Sequence, residues 1–245
     1  MIPVMNVALV LAAGAVMPLA FGGRWWPWGL AALGVAASVW LTEGVVAAVV
    51  LAPWLLAVLG QLARSGRWLD LVAVGFGVVS VTALMASRLE LTVLGILEPI
   101  VKLTAIHFSY AGVGTLALAR RLPESRLQRV AVALVVFAPV LVASGFILRS
   151  AVGQVGGALV MTAGTWAVAV LSLREVRRLE LAPRVLLVIS ALSPWVSMVL
   201  AVAWAANNYW PSVPALTVVD MVPTHGVLNA FGFVLCGLAA RRQRS

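Results

Sequence analysis

The chain has 245 residues, 63% of them apolar and 10% charged, with 17 Lys and Arg against 8 Asp and Glu. No soluble domain of this length hides so much apolar surface, so its main solvent is lipid. The net charge of +9 therefore points to arginines at helix ends on one side of a membrane rather than to nucleic acid.

The first apolar run covers residues 3–21. It has no basic segment before it, so it is expected to be a retained span rather than a cleaved signal peptide. It ends at Gly22-Gly23-Arg24, and Trp25, Trp26 and Trp28 follow at what should be headgroup level. From Trp28 to Ala63 the only charge is Glu43. One straight helix of that length would be about 54 Å long, against a hydrocarbon core of roughly 30 Å. A break at Thr42-Glu43-Gly44 is expected, giving spans 27–41 and 45–63.

Further spans are predicted at 68–87, 91–119, 128–148, 152–173, 184–206 and 215–240. Pro99 should kink the fifth, and Pro223 lies near the start of the ninth. The predicted fold is an all-α polytopic transmembrane helical bundle of nine spans, or eight if the split at Thr42-Glu43-Gly44 fails. It forms a single integral membrane domain over 1–245. Cys236 stands alone, which excludes an internal disulfide framework.

Nine spans gather Arg24, Arg64, Arg67, Arg120, Arg121, Arg126, Arg129, Arg174, Arg177, Arg178, Arg184, Arg241, Arg242 and Arg244 on one face. Only Arg88 and Arg149 fall on the other. The positive-inside rule makes the first face cytoplasmic, with the N-terminus outside and the C-terminus inside.

Two segments carry polar groups into hydrocarbon. LEPIVKLTAIHFSYAG (97–112) holds Glu98, Lys102, Thr104, His107 and Tyr110, and DMVPTHGVLNAFGF (220–233) holds Asp220, His225 and Asn229. Intramembrane ionisable groups are costly and usually face a protein interior where they act. Counted from Arg120 and Arg241, His107 and His225 lie about 20 and 24 Å up, with Glu98 and Asp220 at about 33 and 31 Å. Two helices running in one direction would each carry a carboxylate near the outer edge and a histidine below it, lining one polar site. Glu98 and Lys102 are spaced to pair on one face. Thr104 and Tyr110 share the face of His107, and Asn229 that of His225, as partners able to fix an imidazole tautomer. Plainer roles compete: an ion pair for Glu98 and Lys102, interhelical hydrogen bonding for the histidines, a helix cap for Asp220 and a watery turn for Glu43. Trp195 and Trp204, with Trp40, Trp54 and Trp166, lie within spans and are placed to line a cavity.

LTAIHFSYAG (103–112) and HGVLNAFGF (225–233) resemble the YndJ-like family of bacterial integral membrane proteins. The resemblance implies a multi-span protein of the bacterial inner membrane with His107, Tyr110, His225 and Asn229 as its marked residues. It supplies no activity.

The residues themselves suit an intramembrane acid–base enzyme acting on an isoprenoid or polyene-like substrate, by isomerisation or proton-initiated cyclisation. Asp220 or Glu98 would be the acid and His225 or His107 the base, with Tyr110, Asn229, Lys102, Thr104, Trp195 and Trp204 binding or orienting. No cofactor and no metal is expected, since neither histidine sits in a spaced ligand motif. The partners expected are the bilayer and a hydrophobic small molecule, with no nucleic acid. The competing reading is a proton-coupled transporter using the same residues. A His-carboxylate metal site and a Schiff base on Lys102 fit less well. No phosphate-binding glycine loop, CxxC pair or GxSxG nucleophile is present, which disfavours ATP-driven transport.

Overall fold

A computed structural model of the chain describes residues 2–242, with Arg178 described by its backbone alone. Among the described residues eight helices are long and apolar enough to cross a membrane: α1 (Ile2–Phe21), α3 (Val45–Arg64), α4 (Trp68–Arg88), α5 (Ile100–Arg120), α6 (Arg126–Ile147), α7 (Ala151–Glu175), α8 (Leu181–Asn207) and α9 (Val218–Arg242). The remaining long helix is α2 (Trp26–Trp40), which has 15 residues. The protein is a multi-pass helical membrane protein.

Although α2 is short, its ends decide its course. Gly23, just before it, lies against the Arg64 guanidinium at the end of α3. The Leu41 carbonyl, just after it, accepts a 2.7 Å bond from Arg88 at the end of α4. Since α3 starts at Val45, α2 runs antiparallel to it between the same two levels, although at 15 residues it is shorter than the eight candidate spans. The break between them falls where the sequence places it, at Leu41–Gly44, with Gly44 at φ 138°. The two helices touch where the Val50 carbonyl presses on Gly34, a spot with no room for a Cβ.

The helices gather into two compact units, Ile2–Gly114 and Thr115–Ser245. The boundary falls inside α5. In the first unit, α4 packs on the N-terminal half of α5. The α4 side is tied in by Ser80, whose hydroxyl donates to the Ala105 carbonyl (2.7 Å) and lies 2.6 Å from Ser109 Oγ. Ser80 has one proton, so Ser109 must be the donor of the second bond. In the second unit, α6 and α7 approach so closely that Gly145 and Gly153 are in backbone contact. Small residues permit such contact, which in lipid replaces hydrophobic burial as the driving force. At one end of this unit Arg241 forms a 2.8 Å ion pair with Glu175, both 8% exposed, and donates to Ser172 Oγ at 3.1 Å.

Three spans contain π-helical stretches, and α3 is interrupted by turns at 50–51 and 60–61 and ends in the 3-10 turn Leu62–Arg64. Wider π turns occupy Ala12–Val16 of α1, Phe108–Gly114 of α5, and Val222–Gly226 and Leu228–Leu235 of α9. Such turns shift carbonyls out of α-helical register, and polar donors in a membrane must then supply partners.

Four sequence expectations need correction. The fifth span begins at Ile100 rather than 91, because residues 89–99 turn back on themselves, with a bridge between Val93 and Ile96 and with Leu94 and Gly95 at positive φ. Pro99 caps α5 from outside and does not kink it. A proline disfavours helical geometry in the residue before it, which explains why Glu98 stays out of the helix. Trp28, expected at the headgroups, is 1% exposed and stacks on Phe21 with ring centroids 5.8 Å apart. Trp25, Trp26, Trp68 and Trp210 do lie exposed at helix ends, and Trp40 joins them at 84% exposure instead of lining a cavity.

Candidate functional site

His225 enters the second unit from the first π turn of α9. Its Nδ1 lies 2.7 Å from the Ser197 carbonyl oxygen of α8. A carbonyl only accepts, so Nδ1 carries the proton and, in the neutral ring, Nε2 holds the lone pair. Asn229, one turn on, presents its amide nitrogen at 3.2 and 3.4 Å from the two ring nitrogens. The orientation of that amide is set by Ser197, whose hydroxyl donates to Asn229 Oδ1 at 3.0 Å. Ser197 thus grips the histidine through its carbonyl and the asparagine through its hydroxyl. Ser197 is fully buried, and His225 and Asn229 are half-buried.

The same face of α8 continues the seam. The Ser193 hydroxyl lies against Gly232, where a Cβ would collide with it. The Ser190 hydroxyl donates to the Phe233 carbonyl at 2.6 Å, inside the second π stretch of α9. Serines at 190, 193 and 197 recur at helical spacing, a stripe that the sequence reading passed over. The signal was available: three small hydroxyl residues on one face of an otherwise apolar span.

Asp220 does not sit in this seam. It is exposed, and its carboxylate accepts from the Thr217 backbone N–H (2.9 Å) and hydroxyl (2.6 Å) in a capping box at the start of α9. Thr224 bridges part of the distance, donating its hydroxyl to the Asp220 carbonyl at 2.6 Å. The tryptophans occupy α8 elsewhere: Trp195 stacks on Trp166 at 4.8 Å, and Trp204 lies 6.0 Å from Phe146. Trp166 also donates its indole N–H to the Pro194 carbonyl at 3.0 Å. Trp195 lies two residues from Ser197 and so points away from the seam, whereas Trp204, seven residues on, shares its face.

In the first unit, His107 closes the α-helical part of α5. Its Nδ1 lies 2.8 Å from the Leu103 carbonyl of its own helix, so it holds the same tautomer as His225. The ring is exposed. The neighbours expected to orient it are engaged elsewhere. Tyr110 is 3% exposed and donates to the Ala8 carbonyl of α1 at 2.8 Å, and Thr104 donates to the Ile100 carbonyl. The π turn after His107 changes the angular phase and so separates Tyr110 from the His107 face. Lys102 donates to Asn6 Oδ1 of α1 at 2.8 Å, while Glu98 lies exposed in the preceding loop; the expected pairing of the two on one helix face is not formed. Lys102 and Tyr110 instead fasten α5 to α1.

An ion pair of this unit belongs to the loop after α2. Arg88, 5% exposed, donates to Glu43 Oε1 at 2.8 Å. Hydrogen bonding to its own backbone, and then the Arg88 charge, hold the Glu43 carboxyl below its ordinary value. No group of three or more His, Cys, Asp and Glu able to hold a metal ion occurs among the described residues.

The YndJ-like protein family model matches residues 3–233, nearly the whole chain. The chain belongs to the YndJ-like family. The match takes in both histidine segments and the serine stripe of α8. No curated protein and no solved structure matches.

Proposed function

We propose that this YndJ-like protein is an intramembrane acid–base enzyme that isomerises or cyclises an isoprenoid or polyene-like lipid, with His225 as the proton-transfer residue. One observation carries the reading: the Ser197 carbonyl holds the Nδ1 proton of His225 at 2.7 Å, so proton exchange is directed to Nε2. Protonated at Nε2, His225 delivers a proton to one carbon of a double bond, whose π electrons form the new C–H bond. It then takes a proton from a neighbouring carbon as the double bond re-forms. Atoms and electrons balance without an oxidant, reductant or metal. Asn229 and Ser197 keep the imidazole plane fixed through both transfers. Asp220 and Glu98 are not needed as acids, since both are exposed at helix ends and Asp220 already serves a cap. The arginine distribution supports a bacterial inner-membrane protein with its N-terminus outside and its C-terminus in the cytoplasm. Native mass spectrometry with lipid extraction tests the reading. A co-purifying nonpolar lipid that is lost or unconverted in His225→Ala supports it, and equal lipid content and composition in both proteins speaks against it.

A second reading, proton-coupled transport, draws on the polar run from Thr217 and Asp220 through Thr224 towards His225 on α9. It predicts pH-driven uptake into liposomes without chemical change in any lipid.

A further inference from the structure

The arginines at the end of α7 form a site of their own. A shallow, largely open groove of about 470 Å³ is lined by Val170, Leu173, Arg174 and Arg177. These residues follow one another at helical spacing along one face of α7 and into the short turn Val176–Arg178, and Trp166 lies one turn further up the same face. The groove therefore grades from aromatic and aliphatic to doubly cationic over about three turns. Arg174 and Arg177 are exposed, and neither makes a hydrogen bond or ion pair among the described residues. The carboxylate nearest in sequence, Glu175, is turned inward and committed to Arg241 at 2.8 Å. The span ends at Glu175, so the two guanidinium groups stand where hydrocarbon gives way to headgroups.

We infer that this groove is a binding site for one anionic phospholipid, whose phosphodiester sits between Arg174 and Arg177 while an acyl chain runs along Leu173 and Val170 towards Trp166. Charge complementarity selects the occupant. Two unpaired guanidinium groups match a singly charged phosphodiester in bidentate fashion, and the apolar side chains beside them offer an acyl chain a contact that a free anion cannot use. A zwitterionic lipid brings its own ammonium group against the arginines and is disfavoured. The inference stands apart from the proposed chemistry at His225 and survives its failure.

Native mass spectrometry of the full-length protein in detergent tests it, with phosphatidylglycerol and phosphatidylcholine of identical acyl chains as probes. The first phosphatidylglycerol should bind at least about tenfold more tightly than phosphatidylcholine, as two basic groups near a membrane surface allow. Arg174→Gln/Arg177→Gln should abolish the preference. Val170→Trp, which fills the groove without touching a charge, should weaken binding of both lipids at the first site. Arg126→Gln/Arg129→Gln removes as many charges from the same chain and should leave the preference intact. Excess inorganic phosphate should not displace the lipid. Circular dichroism and a monodisperse elution profile identify variants that are folded. The inference is overturned if folded Arg174→Gln/Arg177→Gln keeps the preference, if the Arg126/Arg129 control loses it equally, or if inorganic phosphate competes.

Discussion

Ser197 makes two bonds to α9, accepting from His225 Nδ1 through its carbonyl (2.7 Å) and donating to Asn229 Oδ1 through its hydroxyl (3.0 Å). Only the second can be removed by mutating the side chain. Ser197→Ala should therefore keep the His225 tautomer but free the Asn229 amide to rotate. Asn229→Leu should remove the amide that faces both ring nitrogens. Nitrogen-15 spectra of histidine-labelled protein should show His225 protonated at Nδ1 in the wild type and in Ser197→Ala. The cost in stability should be small, about 0.6 kcal/mol, the usual worth of a side-chain hydrogen bond between membrane helices. An Nε2-protonated ring in the wild type would contradict the geometry.

Gly145 offers a sharper stability test because a control lies on the facing helix. A Cβ at Gly145 would run into the backbone of Gly153 and Gln154, whereas a Cβ at Gly156 meets nothing within 4 Å. Gly145→Ala should destabilise the α6–α7 pair by about 1–3 kcal/mol, the usual cost of overpacking. Gly156→Ala should be neutral or slightly stabilising, because it removes backbone freedom from a helix interior. Thermal unfolding followed by helical signal compares the two.

The Arg241–Glu175 pair is buried on both sides. Glu175→Leu alone leaves an uncompensated guanidinium and should cost about 3–5 kcal/mol. Glu175→Leu/Arg241→Met removes both charges and should recover most of that loss. Unfolding midpoints of the single and double variants decide whether the pair is held by mutual need or contributes little.

Glu43 makes the loop between α2 and α3 acid-sensitive. Its folded carboxyl titrates below its ordinary value, so its contribution is present above the unfolded value and is lost as pH falls through the folded one. The Arg88–Glu43 tie should loosen only on acidification below the ordinary carboxylate range. Proteolysis of the loop between α2 and α3 should rise there in the wild type, and should already be high and insensitive to pH in Glu43→Gln.

Much of the architecture was legible because hydropathy and length suffice to place spans in lipid. The break at Glu43 followed from a length that no single span can have, and α2 and α3 lie where that argument puts them. The start of α5 was misread for a physical reason: residues 91–97 are as apolar as a span, and only Pro99 and the Leu94-Gly95 turn mark them as loop. Partners were harder. The pairing of His225 with Asn229 was readable from their spacing. Ser197 was not, since the contact joins two helices and runs through a carbonyl that every residue has. His107 shows the limit of wheel arguments, because the π turn that begins at Phe108 moves Tyr110 off its face and onto α1.

The most direct test of proton transfer at His225 is solvent labelling. Protein in liposomes of native membrane lipid, incubated in heavy water, should place deuterium on carbon in at least one nonpolar lipid, since a proton taken from solvent ends in a C–H bond. His225→Gln should abolish the labelling. If no lipid gains carbon-bound deuterium while wild-type liposomes still show His225-dependent proton flux, the enzyme reading is contradicted and transport replaces it.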